Sequence, residues 1–169
     1  MDQKTYNILF LCNANSARSL MAEAIMQREG LGKFKAFSAG AHPSGAPNPN
    51  AMALLKRENF EISHFRSKSW DEFAATDAPQ MDFVITLCHQ AAGEECPIWP
   101  GQPLIAHWDI HDPSQFEGNA AQTGVIFAKT YAQIRNRITI FANLPIETLD
   151  QLSLKEQMDN IGDMPVETA

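Results

Sequence analysis

The stretch Asn7-Ile8-Leu9-Phe10-Leu11 restricts the fold most: it is a nearly continuous apolar run that stops at Cys12 and gives way at once to a helical pattern. A strand apolar at successive positions must be buried on both faces, as in the middle of a parallel sheet. From Ala17 onward Leu20, Met21, Ala24 and Ile25 recur at helical spacing, Ser16 is placed to cap that helix, and Gly30 and Gly32 provide its stop. The alternation continues. Lys35 to Ser38 reads as a second strand, the Gly- and Pro-rich Ala39 to Pro49 as a loop, and Asn50 to Glu58 as a helix. Asp82 to Leu87 reads as a third strand, ending at Cys88, and Pro103 to Trp108 as a fourth. Phe127, Tyr131, Ile134, Ile138 and Phe141 mark one apolar stripe of a long helix. Strands separated by helices predict an α/β fold, a small doubly wound sandwich around a parallel sheet, whose ligands gather at the carboxyl ends of the strands. Cys12 and Cys88 both fall there.

With 169 residues and 44% hydrophobic content the chain suits one catalytic domain, residues 1–169, with a core over 6–142 and a helical extension over 144–169. Ser153 to Ile161 reads as a short extra helix with a polar tail and no recognisable chemistry. The net charge of −7 argues against nucleic acid or an anionic membrane as partners, so any anionic ligand must be held by a local site. No apolar run approaches a membrane span and no export signal is visible, which makes the cytoplasm the expected location. Three cysteines, an odd number, fit poorly with a secreted disulfide framework. The useful question is which of them react.

Cys12-Asn13-Ala14-Asn15-Ser16-Ala17-Arg18-Ser19 spans the strand end and the first helical turn, so five residues separate a cysteine from an arginine around a tight loop. Such a loop is an oxyanion cradle. Its backbone N–H groups converge, the helix amino terminus adds partial positive charge, and the Arg18 guanidinium can hold two oxygens of a tetrahedral anion. The same field favours a thiolate at Cys12, with the Ser19 hydroxyl placed to donate to its sulfur. Asn15 tolerates left-handed backbone angles and can bend the loop inward. A cysteine after an apolar strand is by itself an ordinary core residue; the arginine and serine at this spacing, at a strand-to-helix junction, are what make it a site.

Ile8 to Glu23, ILFLCNANSARSLMAE, resembles the phosphate loop of the low-molecular-weight protein tyrosine phosphatases and of the arsenate reductases that share their fold. Ser38-Ala39-Gly40, Thr86-Leu87-Cys88 and Trp108 to Pro113 extend the likeness over roughly residues 6 to 142. The resemblance implies a three-layer sandwich with a central four-stranded parallel sheet. It also implies Cys12 as nucleophile, Asn13 to Arg18 as the oxyanion loop, and Asp112 of Asp112-Pro113 as general acid, with Asp109 as its competitor. An oxygen leaving arsenic or phosphorus needs a proton, and a carboxyl above the anion can deliver it.

Phosphatase and reductase share the first step, attack of Cys12 on a tetrahedral oxyanion. A phosphatase then needs only water, whereas reducing As(V) to As(III) needs two electrons, which thiols supply by forming a disulfide. Cys88 and Cys96 are available for that. The resemblance implies a relay in which Cys88 attacks Cys12 and expels arsenite, Cys96 attacks Cys88, and the resulting disulfide passes to thioredoxin; glutaredoxin with glutathione, or another thiol donor, is the alternative reductant. No bound cofactor is implied. Seven residues between Cys88 and Cys96, with no second pair, is not a usual zinc spacing, so no metal site is expected. Two departures from the phosphatase pattern favour the reductase: Ala17 stands where a second loop cysteine is common, and Ser114-Gln115-Phe116 where aromatic residues follow Asp-Pro. Some reductases of the family hold a potassium ion through positions matching Asn15, Glu23 and Ser38 and an aspartate after the second helix. Here that last place reads Arg66-Ser67-Lys68-Ser69, so the Lys68 ammonium is expected in the ion's place. The alternative remains a phosphatase acting on phosphotyrosine or aryl phosphates. His42, His64, His89, His107 and His111 are scattered and receive no role, and Trp70, Trp99 and Trp108 read as packing residues.

Overall fold

The computed structural model describes residues 4–87, 99 and 101–164. Four strands, β1 (Tyr6–Cys12), β2 (Phe34–Gly40), β3 (Phe83–Thr86) and β4 (Leu104–His107), form one parallel sheet in the order β2-β1-β3-β4. The helices are α1 (Arg18–Glu29), α2 (Pro49–Arg57), α3 (Asp71–Ala74), α4 (Ala120–Ala142) and α5 (Gln151–Gly162), with single 3-10 turns at Pro113–Gln115 and Ile146–Thr148. The four-stranded α/β fold read from the sequence is therefore present, with boundaries shifted by one or two residues. The short α3 was not anticipated; four residues hold too little periodicity to be seen.

The apolar run of β1 is buried because the strand lies between β2 and β3, with Ile8, Leu9, Phe10 and Leu11 all sealed from solvent. α1, α2 and α4 cover one face: Phe141 of α4 packs edge-on against Phe83 and beside Phe34 and Trp108. α3 covers the other through Phe73, whose ring meets Phe37 at 5.6 Å. All three tryptophans are buried in packing, Trp70 edge-on to Trp99. Helix ends are fixed by local chemistry. Asn48 accepts from Asn50 and Ala51 N–H ahead of Pro49, Asn119 and Gln122 form a reciprocal capping box on α4, and Asp150 caps α5 by accepting from Ser153.

The chain runs outward from β1 to β2 on one side and to β3 and β4 on the other, so the order reverses between β1 and β3. A crevice opens outside the carboxyl ends of strands at such a point. The loop after Cys12 lies at this point, and Leu87, which follows β3, donates its N–H to Leu11 O at 2.7 Å, continuing the ladder between β1 and β3. Cys88, His89 and Cys96 lie outside the described residues.

Candidate functional site

α1 begins at Arg18, and Ser16 does not cap it: Ala17 is the flanking residue and no side chain accepts from the first turn. The cap expected at Ser16 is thus corrected. A side-chain oxygen there would occupy donors that the open helix terminus instead offers to a bound anion. Asn15 has φ of 47°, the left-handed conformation expected of it.

The loop's carbonyls are committed outward. Cys12 O, Asn13 O, Ala14 O and Ser16 O accept from the N–H groups of Ala41, His42, Ser44 and Asn48, and Ala14 O also accepts from Ser67 Oγ. A peptide's N–H points roughly opposite its C=O, so this pattern turns the loop amides toward the pocket. Gly40 makes the fit possible, because a Cβ there would stand 2.7 Å from Asn13 O and 2.8 Å from Asn15 N. Sequence reading saw residues 39–49 only as a loop; Ser38-Ala39-Gly40, part of the family likeness, was the available signal.

Cys12 is buried, with Sγ 2.9 Å from Ser19 Oγ. Asn15 Oδ1 accepts from Lys68 N at 2.9 Å and faces Lys68 Nζ at 3.4 Å, so its Nδ2 must point the other way, donating to Ser19 Oγ at 2.7 Å. Since that bond uses the acceptor side of the hydroxyl, its own hydrogen is free for the sulfur of Cys12. Lys68 Nζ also donates to Ser38 Oγ at 3.2 Å and Arg66 O at 3.2 Å and lies 3.7 Å from Glu23 Oε1, which in turn accepts from Ser38 Oγ at 2.8 Å. Oxygens of Asn15, Ser38 and Glu23 are therefore gathered around the Lys68 ammonium. Burial pushes the Glu23 carboxyl up and the Lys68 ammonium down, and each charge partly offsets the shift of the other.

Arg18 is buried and held from two sides: Nη1 donates to Ile110 O at 2.9 Å and Nη2 lies 3.4 Å from Asp112 Oδ2. Asp112 Oδ1 accepts from both Ser114 N, at 3.0 Å, and Ser114 Oγ, at 2.7 Å. Burial alone would raise this carboxyl, but the Ser114 hydrogen bonds and the Arg18 charge outweigh it and hold Asp112 below its ordinary value. Cys12, Asn13, Ala14, Ser16, Ala17, Arg18, Asp112, Ser114 and Gln115 line one cavity of about 210 Å³. Of the two aspartates weighed in the sequence, Asp112 lines this cavity and Asp109 does not. Ile110, whose contribution is a backbone carbonyl, left no signal in the sequence.

Among the described residues no three His, Cys, Asp or Glu side chains gather as a metal site, and no helix is long and apolar enough to cross a membrane. The sequence profile of low molecular weight phosphotyrosine protein phosphatase matches residues 7–157. The chain belongs to that family. Within it, the arsenate reductase of Bacillus subtilis is 35% identical over 135 residues, covering 80% of this chain and 94% of its own length. An arsenate reductase solved in a phosphate-binding state is 28% identical with a TM-score of 0.67, covering 82% of this chain and 97% of that one. A low molecular weight protein tyrosine phosphatase from T. tengcongensis is 25% identical with a TM-score of 0.66, covering 83% of this chain and all of its own.

Proposed function

We propose that this enzyme reduces arsenate to arsenite with Cys12 as nucleophile and a Cys12/Cys88/Cys96 disulfide relay. The observation that carries the reading is the cavity around Cys12 and Arg18, of about 210 Å³, whose described lining residues are small or polar and include no aromatic ring. It suits a bare tetrahedral oxyanion. The names of the curated relatives support the same substrate.

In the resting site Asp112 is ionised and paired with Arg18. An entering oxyanion takes Arg18 for itself and sets negative charge beside the carboxylate, which raises Asp112 and lets it hold a proton. The Cys12 thiolate, hydrogen-bonded by Ser19, attacks arsenic; an arsenic–oxygen bond breaks and Asp112 protonates the leaving oxygen. Cys88 then attacks Cys12 Sγ, and the electron pair of the sulfur–arsenic bond stays on arsenic, so arsenite leaves as As(III) and a Cys12–Cys88 disulfide forms. Attack of Cys96 on Cys88 restores the Cys12 thiolate, and the Cys88–Cys96 disulfide is reduced by an external dithiol, for which thioredoxin is the first choice and glutaredoxin the second. Lys68 serves as a built-in cation that fixes Asn15 and through it Ser19.

The test is arsenite production with thioredoxin, thioredoxin reductase and NADPH. Cys12→Ser should abolish it, and Cys88→Ser and Cys96→Ser should each end turnover. Aryl phosphate hydrolysis that survives both of the latter changes, with no arsenite from the wild type, would instead make the protein a phosphatase.

A further inference from the structure

The two oxygens of Asp112 are not equivalent. Oδ1 is taken by both donors of Ser114, its N–H at 3.0 Å and its hydroxyl at 2.7 Å. Oδ2 lies on the Arg18 side, 3.4 Å from Nη2. We propose that Ser114 is a positioning residue for the reaction: it commits Asp112 Oδ1, and so makes Oδ2 the oxygen that carries the proton to the leaving oxygen. This rests on the reading of Asp112 as general acid.

The geometry has a simple cause. Asp112 stands at the amino end of the 3-10 turn Pro113–Gln115, where its side chain accepts from Ser114 N as a capping residue would. A cap alone fixes one oxygen with one bond. The Ser114 hydroxyl adds a second bond to the same oxygen, and a carboxylate with one oxygen doubly held has lost most of its rotational freedom. Oδ2 is left to the Arg18 side, and Asp112 and Ser114 both line the cavity. Positioning a proton donor before the substrate arrives is where much of a general acid's advantage arises.

The same contact sets the acid's strength. From outside the turn, Arg18 of α1 acts on the carboxyl and Cys12 shares its cavity; within it, Ser114 and Gln115 supply hydrogen bonds. α4 also packs on this turn, and its first part, Ala120 to Ala128, carries no titratable side chain. Hydrogen bonds to Oδ1 favour the ionised form, so removing the Ser114 hydroxyl must raise Asp112 and extend the acid form to higher pH.

The experiment compares wild type, Ser114→Ala, Ser114→Thr and Asp112→Asn. Two quantities are read: the titration of the Asp112 side-chain carboxyl carbon by NMR, and the pH profile of arsenate reduction or, should that be absent, of aryl phosphate hydrolysis. In Ser114→Ala the carboxyl should titrate higher and the alkaline limb should move up by as much as about one pH unit, while the plateau rate falls several-fold as the donor loses its aim. Ser114→Thr should restore both. An Asp112 titration and an alkaline limb unmoved in Ser114→Ala would overturn the proposal while leaving the general acid in place. If Asp112→Asn turned over as fast as wild type, the general-acid reading would fail and the proposal with it.

Discussion

Lys68 is the residue on which the local order of the site depends. Its backbone N–H and its ammonium together fix Asn15 Oδ1, which directs the Asn15 amide to Ser19 and the Ser19 hydrogen to Cys12. Lys68 and Glu23 are both nearly sealed from solvent, so neither charge is tolerable alone. Lys68→Met should cost roughly 3–5 kcal/mol in chemical or thermal unfolding, because it leaves the Glu23 carboxylate buried without a cation. Lys68→Ala opens space instead of filling it. In wild type, potassium should leave the rate unchanged; in Lys68→Ala the rate should drop at least tenfold and recover in part with potassium but less with the smaller sodium. A wild-type rate that rises several-fold with potassium would contradict the role given to Lys68. The sequence exposed this residue only through family likeness. A lysine two positions after an arginine reads as surface, and its burial comes from the bridge between Gly40 and Ser69 that draws its segment against β2.

At the scale of elements, β1 was legible from its unbroken apolar run and α1 from its helical spacing, and the Cys12 to Ser19 loop because its residue types are tied to its chemistry. The scaffolding of that loop was not. Apart from the Ser67 hydroxyl on Ala14 O, it consists of backbone bonds from the 41–48 segment, and backbone donors carry no residue signature. Gly40 is the exception, since only a residue without a Cβ lets β2 end so close to Asn13 and Asn15. Gly40→Ala should therefore push the loop out of shape and weaken binding of inorganic phosphate, used as an arsenate analogue, at least tenfold by calorimetry, with the far-ultraviolet spectrum unchanged. Unaltered phosphate affinity would show that the loop can yield to the added methyl group without losing its cradle. The absent cap at Ser16 teaches the same lesson in reverse: a helix start that serves an anion breaks the ordinary capping rule, and the sequence pattern could not reveal which of the two applied.

Over the whole molecule, the family profile runs through residue 157 and so reaches into α5. The sequence showed no chemistry in the C-terminal extension, yet α5 is anchored on β4 and on Trp108, which follows it. Trp108 is fully buried and its Nε1 donates to Met158 O at 3.0 Å, Arg137 Nη2 donates to Met164 O at 2.9 Å, and Leu154, Met158 and Ile161 are buried. Gly162 rests so closely on β4 that a Cβ there would collide with the His107 carbonyl oxygen. Trp108 directly follows β4 and begins the segment that carries Ile110, the Arg18 acceptor, and Asp112. Displacing α5 should therefore disturb the acid side of the site and spare the loop between β1 and α1. Gly162→Ala forces that displacement, and overpacking of this kind costs about 1–3 kcal/mol, or several degrees in Tm at this chain length. Its kcat should fall several-fold with phosphate affinity nearly unchanged. Trp108→Phe keeps most of the ring packing but removes the indole N–H bond to Met158 O, and should shift kcat in the same direction by less. Loss of phosphate affinity as large as the loss of kcat would mean that α5 supports the fold as a whole and has no particular hold on the Asp112 segment.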